Sequence, residues 1–357
     1  MNNRLQNLKL LLTKNKLDAI LVSSTVNIIY LTNFTGFSKE EREGYLLITK
    51  NKQYVFTDSR YFEAVRKYLP KFGLIEISKN NTFKQELKKL VSENKINKLA
   101  IDLDDINVAE FKNIRSVVKV VSDNELIEDL RVIKDSLELK EIQKACLLGD
   151  KIFEQILKKI KVGVTEVEIA KQIEILTLLS DASLSFQPIA AFGNNCSLIH
   201  HVPTNKKLTN NSIVLLDFGV KVNNYCSDMT RTFFIGIASK KQKEIYNTVL
   251  EAQQKAAKYF STSKKLSDID LIARNYILSK NYPTIPHSLG HGIGLEVHEK
   301  HGLSPKSKEI IKKGMVFSIE PGIYIPNFGG VRIEDLYFYD GKNAQLISHA
   351  NKGIIEL

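Results

Sequence analysis

The chain has 357 residues, 43% of them apolar and 25% charged, enough for two or three domains with a core of ordinary size. Its net charge of +11 rests on lysine: only nine of the 51 basic residues are arginine, and the lysines are scattered through KKLVSENKINK, KKIK and KKQK. Recognition of phosphates and bases favours arginine forks, so this charge reads as solvated helix faces, and nucleic acid is not an expected partner. In chain order, residues 1–125 alternate helix and strand. Helix RLQNLKLLLTKN leads to strand DAILVSS and then IIYLTNF; GYLLITKNKQYVFTD reads as a hairpin turning at Asn51. Helix RYFEAVRKYL, strand LIEIS, helix TFKQELKKLVSE, strand KLAID, helix VAEFKNI and strand VVKVVS follow. This predicts an α/β N-terminal domain with a largely parallel sheet. Neither GxGxxG nor GxxxxGK[ST] occurs, so the sheet brings no nucleotide with it.

From Asn124 to Ile160 apolar residues recur at threes and fours, which predicts a linking helical region over 126–160. A second helix opens at Thr165, where TEVE fits a capping box of Thr165 and Glu168. Strands, helices over 240–260 and 267–280, and further strands complete an α+β C-terminal domain over 138–357. Cys146, Cys196 and Cys226 are odd in number and lack CxxC spacing, which fits a reducing cytosol. The N-terminal stretch has no uninterrupted apolar run before a cleavage site, and no segment approaches the ~20 apolar residues of a membrane span. A cytoplasmic protein without membrane contact is expected.

SIVLLDFGVKVNNYCSDMTRTFF (212–234) reads as two strands around an Asn223-Asn224 turn. Val222 then pairs with Tyr225 and Asp217 with Thr230, which puts Asp228 on the face of Asp217, a diagonal neighbour at roughly 7–8 Å. FSIEPGIYIPNFGGVRIEDLYF (317–338) allows the same arithmetic. With a loop from Pro326 to Gly330, Ile325 pairs with Val331 and Glu320 with Leu336; Glu334 and Arg332 share the face of Glu320. The parallel suggests an internal pseudo-repeat. Asp217 and Glu320 directly follow apolar runs, where an unpaired charge is costly. Four converging carboxylates repel one another unless cations lie among them, and two divalent ions balance their charge.

Three of the seven histidines fall in HSLGHGIGLEVH (287–298). An oxygen-rich site needs an imidazole on a segment able to approach closely. Gly290 and Gly292 around His291 permit unusual backbone angles and close approach, which makes His291 the ligand. His287 and His298 are candidates for substrate contact or proton transfer, and in IHHVPTN His200 is favoured over His201. Four carboxylates and one imidazole suit manganese, cobalt or zinc better than thiolate-seeking ions. Two such ions can hold a bridging hydroxide and polarise a carbonyl, which is hydrolase chemistry.

These residues resemble the pita-bread-fold metallopeptidases, in the Xaa-Pro peptidase branch of aminopeptidase P and prolidase. NIIYLTNFTGF and YVFTDSRYFEA are similar to the branch's creatinase-like N-terminal domain. LDFG, YCSDMTRTF, GHGIGLEVHE, EPGIYIP and GGVRIEDL match its metal-binding blocks in order. The resemblance implies a pita-bread (creatinase/aminopeptidase-like) catalytic domain, with Asp217, Asp228, His291, Glu320 and Glu334 holding two divalent ions. Asp228 and Glu334 would bridge them. It further implies that His200, His287 and His298 serve the substrate, that Arg332 braces the site and that Thr230 supports it. Glu320 would pass a proton to the leaving nitrogen. The implied substrate is a peptide with proline second, and the implied assembly is a homodimer. Two features depart from the branch: Ile199 stands where proline usually precedes the histidine, and SKEEREG (38–44) is charged where small residues are common. A methionine aminopeptidase, similar only to the second half, and a metal-free pita-bread binding protein are the alternatives.

Overall fold

The computed structural model describes residues 2–122, 125–261 and 265–357. The chain divides into two compact units, residues 1–131 and 132–357. In the first, α1 (Asn2–Lys14) precedes β1 (Ala19–Val22), and the IIYLT of IIYLTNF lies in a helix, α2 (Thr25–Thr32), capped by the Ser24 side chain and ended by Asn33. Strands β2 (Gly44–Thr49) and β3 (Gln53–Thr57) form the expected hairpin. Then come α3 (Phe62–Tyr68), β4 (Gly73–Glu76), α4 (Phe83–Glu93), β5 (Lys98–Ile101), α5 (Val108–Arg115), β6 (Lys119–Ser122) and α6 (Leu126–Val132). The sheet order is β4-β3-β2-β1-β5-β6. It is mixed, not largely parallel: β1–β2 and β2–β3 are antiparallel, while β3–β4, β1–β5 and β5–β6 are parallel. The tight hairpin forces the β2–β3 pairing to be antiparallel, while β1, joined to β2 through α2, pairs antiparallel with its other edge. The charged stretch 38–44 is tied down inside this unit: Arg42 pairs with Asp105 and Glu110, and Glu43 accepts from the Ser38 amide and the Tyr61 hydroxyl.

The helical stretch predicted from Asn124 is interrupted. Asn124 itself lies outside the described residues, and α7 (Ser136–Leu157) starts afresh after α6. Asp135 ends the continuity: its extended backbone and carboxylate cap the Leu137 and Glu138 amides, which favours a new helix start over an unbroken one. Helix α8 (Glu166–Leu178) opens with the expected Thr165–Glu168 capping box.

After α8 come β7 (Ser183–Leu184), β8 (Ile189–Phe192), β9 (Ile213–Phe218), β10 (Val220–Val222), β11 (Tyr225–Cys226) and β12 (Met229–Phe234). Helices α9 (Lys240–Tyr259) and α10 (Leu266–Ser279) lead to β13 (Gly290–Gly292), β14 (Glu299–Leu303), β15 (Val316–Ile319), β16 (Gly322–Ile325), β17 (Gly329–Arg332), β18 (Asp335–Tyr339) and β19 (Ala344–Leu346). The same motif occurs twice: a helix pair, then an antiparallel β8-β9-β12 or β13-β15-β18 set. Each set buries apolar residues against its own helices, with Leu216, Phe233 and Ile152 in one core and Phe317, Ile319 and Val249 in the other.

Candidate metal centre and active site

In the first carboxylate hairpin, Val222 pairs with Tyr225 and Asp217 with Thr230, as the spacing predicts. Asn223 and Asn224 both have positive φ (48° and 73°), the geometry of a tight two-residue turn matched to strand twist. The second hairpin differs from expectation. Its loop is shorter, Pro326 to Phe328, with Asn327 at φ 63° and Gly329 at φ 134°. Ile325 therefore pairs with Gly329 and Ile323 with Val331. Extended, this register sets Glu320 opposite Glu334 rather than Leu336. The partner moves by two residues, so the side-chain face is unchanged, and Glu320, Arg332 and Glu334 still look the same way. Glu320 follows β15 and Glu334 precedes β18, mirroring Asp217 at the end of β9 and Asp228 just before β12.

The HSLGHGIG segment is not a flexible loop around His291: residues 290–292 are strand β13, laid between β14 and β15. Neither flanking glycine has a left-handed φ. What they supply is close approach. A Cβ on Gly290 would lie 1.9 Å from the Ser318 carbonyl oxygen, and one on Gly292 2.3 Å from that of Lys300.

These elements wall a cavity of about 1000 Å³ lined by every residue singled out for metal or substrate: Asp217, Asp228, His291, Glu320 and Glu334, and His200, His287, His298 and Arg332. Ligand atoms of Asp228, His291 and Glu334 all lie within 4.8 Å of one another. His291 Nε2 is 3.5 Å from Asp228 and 3.4 Å from Glu320. Arg332 donates to Asp217 at 2.5 Å and to the Thr230 hydroxyl at 3.0 Å; that hydroxyl donates to Glu334 at 2.7 Å. From behind, the buried Gln253 amide donates to the carbonyls of Ile319 and Ile333, the residues preceding the two glutamates. Buried Arg231 donates to the Glu334 carbonyl and to Asp335. Tyr324, Gln253 and Arg231 carry no signature in the sequence, because His287, the Ile319 and Ile333 carbonyls and the Glu334 carbonyl that they engage lie 37 or more positions away.

The electrostatics are those of crowded acids. Burial, reinforced by Asp228 and opposed by Arg332, carries Asp217 to about 6. Burial lifts Glu320 to about 7 against the pull of His291 and Arg332. Glu334 is pushed well up by burial and then by the charges of Asp228, Glu320 and Asp217. Burial works against the charge of His291, but its hydrogen bond to Asp228 and the charges of Glu320 and Asp228 prevail, taking it to about 9. His287 goes the other way: burial lowers it to about 4. Its Nδ1 donates to the Ser288 carbonyl at 2.7 Å, which leaves Nε2 to accept from the Tyr324 hydroxyl at 2.9 Å. Tyr324 in turn accepts from Arg332 at 3.0 Å. Both nitrogens of His287 are thus engaged, whereas His298, also lowered by burial and by His291, is exposed to the cavity.

Residues 140–339 match the model of metallopeptidase family M24, and residues 4–133 match that of the creatinase/prolidase N-terminal domain. The chain belongs to metallopeptidase family M24. This M24 chain is 34% identical over 359 residues to the Bacillus subtilis (strain 168) protein named uncharacterized peptidase YqhT, covering 99% of this chain and 100% of that one. Among solved structures it is similar to an Xaa-Pro dipeptidase from Bacillus anthracis (TM-score 0.94, 34% identity, 99% of each chain covered). It is also similar to an X-Pro aminopeptidase from Thermotoga maritima MSB8 (TM-score 0.87, 30% identity, 96% of this chain and 98% of that one). The fold is thus a creatinase-type N-terminal domain followed by the M24 pita-bread domain. Among the described residues of this M24 protein, no helix is long and apolar enough to cross a membrane.

The M24 donor set fits divalent cations on a direct observation. Asp217 Oδ1, Asp228 Oδ1 and Glu334 Oε1 are buried and accept no hydrogen bond. Partnerless carboxylate oxygens are costly in a protein interior, and a shared cation is the partner that satisfies several at once.

Proposed function

We propose that this protein is a dinuclear metal-dependent Xaa-Pro peptidase, of the prolidase or aminopeptidase P type. The observation that carries the reading is the group of buried, unpartnered oxygens on Asp217, Asp228 and Glu334 beside His291, on the wall of one cavity. Asp217, Asp228, His291, Glu320 and Glu334 would hold two ions, with Asp228 and Glu334 shared between them; this hard donor set favours Mn²⁺, then Co²⁺ or Zn²⁺. When bound, such a pair supplies a water of lowered pKa and polarises a peptide carbonyl.

The chain's own groups do the rest. Glu320, on the cavity wall beside His291, would carry a proton to the leaving nitrogen. His298 donates to the developing oxyanion, a task that suits it better than His287, whose nitrogens serve Ser288 and Tyr324. Arg332 orients Asp217, and through Tyr324 it fixes His287. The cavity wall also offers Phe186, Pro188, Ile189, Ile199 and Val202, an apolar surface suited to a proline ring that brings no amide hydrogen. The reading includes a homodimer, on family resemblance. It also includes a cytosolic location, supported by the burial of Cys146, Cys196 and Cys226.

Two other readings are less well supported. A metal-free binding protein has no need of a complete set of five donors, and a methionine aminopeptidase does not account for the creatinase/prolidase domain over residues 4–133. The test is release of the first residue from Xaa-Pro and Xaa-Pro-Yaa, side by side, with and without Mn²⁺. Metal-dependent release from either is expected, and the ratio separates prolidase from aminopeptidase P. Inactivity on both with metal present refutes the reading. Asp228→Asn is expected to abolish turnover; an active variant removes Asp228 from the shared position.

A further inference from the structure

His200 and His201 are neighbours in the chain with opposite surroundings. His201 is buried, and its Nε2 lies 2.8 Å from Glu166 Oε2. His200 is exposed to the cavity, with no hydrogen bond among the described residues. Glu166 is wholly buried at the first turn of α8 and collects donors from two segments. Its Oε1 accepts from the Phe192 amide (2.8 Å) and Asn195 Nδ2 (2.8 Å). Its Oε2 accepts from His201, the Thr204 amide (3.0 Å) and the Thr204 hydroxyl (2.6 Å). A carboxylate offers about four lone-pair sites, so these donors saturate it. Burial opposes its charge, but Thr204, His201 and Asn195 outweigh burial and hold the carboxyl below its usual range.

The neighbouring Glu168 serves the helix cap; Glu166 does something else. It joins the rigid end of β8 to the loop over 199–204, and that loop has no regular secondary structure of its own. His200, His287 and His298 all line the same cavity. We propose that Glu166 is a positioning residue of the peptidase site: its carboxylate, through His201 and Thr204, anchors the loop so that His200 faces the substrate. His201 is then the strut and His200 the contact. The inference rests on the Xaa-Pro peptidase reading above.

The experiment is a double-mutant cycle on the Mn²⁺-loaded full chain with an Xaa-Pro dipeptide, measuring kcat, KM and bound metal for Glu166→Gln, His200→Ala and the pair. Expected for Glu166→Gln is a fall in kcat/KM of about 10- to 100-fold, as for other groups that orient a ligand, with metal content unchanged. In the His200→Ala background the same change should alter kcat/KM by less than about twofold, because groups acting through one another are not additive. A purely structural Glu166 would multiply with His200→Ala instead, and that result, or a Glu166→Gln enzyme as active as wild type, overturns the proposal. Thr204→Val, which removes one donor, should give a smaller loss with the same non-additivity, and it decides the matter if Glu166→Gln does not fold. Wild-type inactivity on the dipeptide would count against the peptidase reading instead.

Discussion

The Thr230 hydroxyl donates to Glu334 at 2.7 Å, across 104 positions of sequence. It is one of several bonds that join the two carboxylate hairpins. The Glu334 amide donates to the Thr230 carbonyl at 3.1 Å, and the Thr232 hydroxyl accepts from the Arg332 amide and donates to its carbonyl. Because the same Thr230 hydroxyl accepts from Arg332 Nε, it orients an acid and its bracing cation together. Thr230→Val keeps the shape and removes both bonds. Metal affinity should fall about 10- to 100-fold, the usual effect of losing a group that orients a ligand. Titration of chelated protein with Mn²⁺ checks this; unchanged affinity would show that the hydroxyl is incidental.

The metal-free protein should lose stability as pH rises. Asp217 is raised to about 6, Glu320 to about 7, His291 to about 9, and Glu334 is raised as well. Every one of these shifts means that the folded state binds protons more tightly than the unfolded state. The stability they contribute is therefore fully present in acid and is lost as pH climbs from about 4 towards 9; His287, lowered to about 4, works the other way and offsets part of that loss below about pH 6.5. Thermal melts of EDTA-treated protein should show Tm falling on the order of 5–10 °C between pH 5 and 8. Saturating Mn²⁺ should flatten the slope. A Tm that rises over this range without metal would contradict the crowding of acids described above.

Gly290→Ala tests close approach in strand β13. The new methyl would meet backbone, Ser318 O at 1.9 Å and Ser318 C at 2.7 Å, so the strands must part. Overpacking of this kind costs about 1–3 kcal/mol or more. His291 would move with its strand, so bound metal should drop together with Tm. Wild-type metal content in a folded Gly290→Ala protein would mean that His291 does not depend on this packing.

Much of the site was legible in the chain because strand geometry is local. Side chains alternate with period two, so Asp217 and Asp228 share a face once the Asn223-Asn224 turn is recognised. Even a misjudged loop at Pro326 left Glu320 and Glu334 together, since a shift by two residues preserves the face. The apolar runs ahead of Asp217 and Glu320 likewise announced their burial. Helix starts at Thr165 and near Lys240 followed from capping residues and periodicity.

What the tertiary structure alone decided lies in contacts between segments far apart in sequence. The sequence favours His200 over His201 without a local pattern to explain it; the physical difference is a buried carboxylate, Glu166, 35 residues before His201. Tyr324 gains its meaning from His287 and Arg332, and Gln253 from two carbonyls on other strands. The mixed sheet of the first unit and the strand character of residues 290–292 arise in the same way. Backbone hydrogen bonds to neighbours, which no single segment specifies, choose among conformations that glycine and short apolar runs leave open.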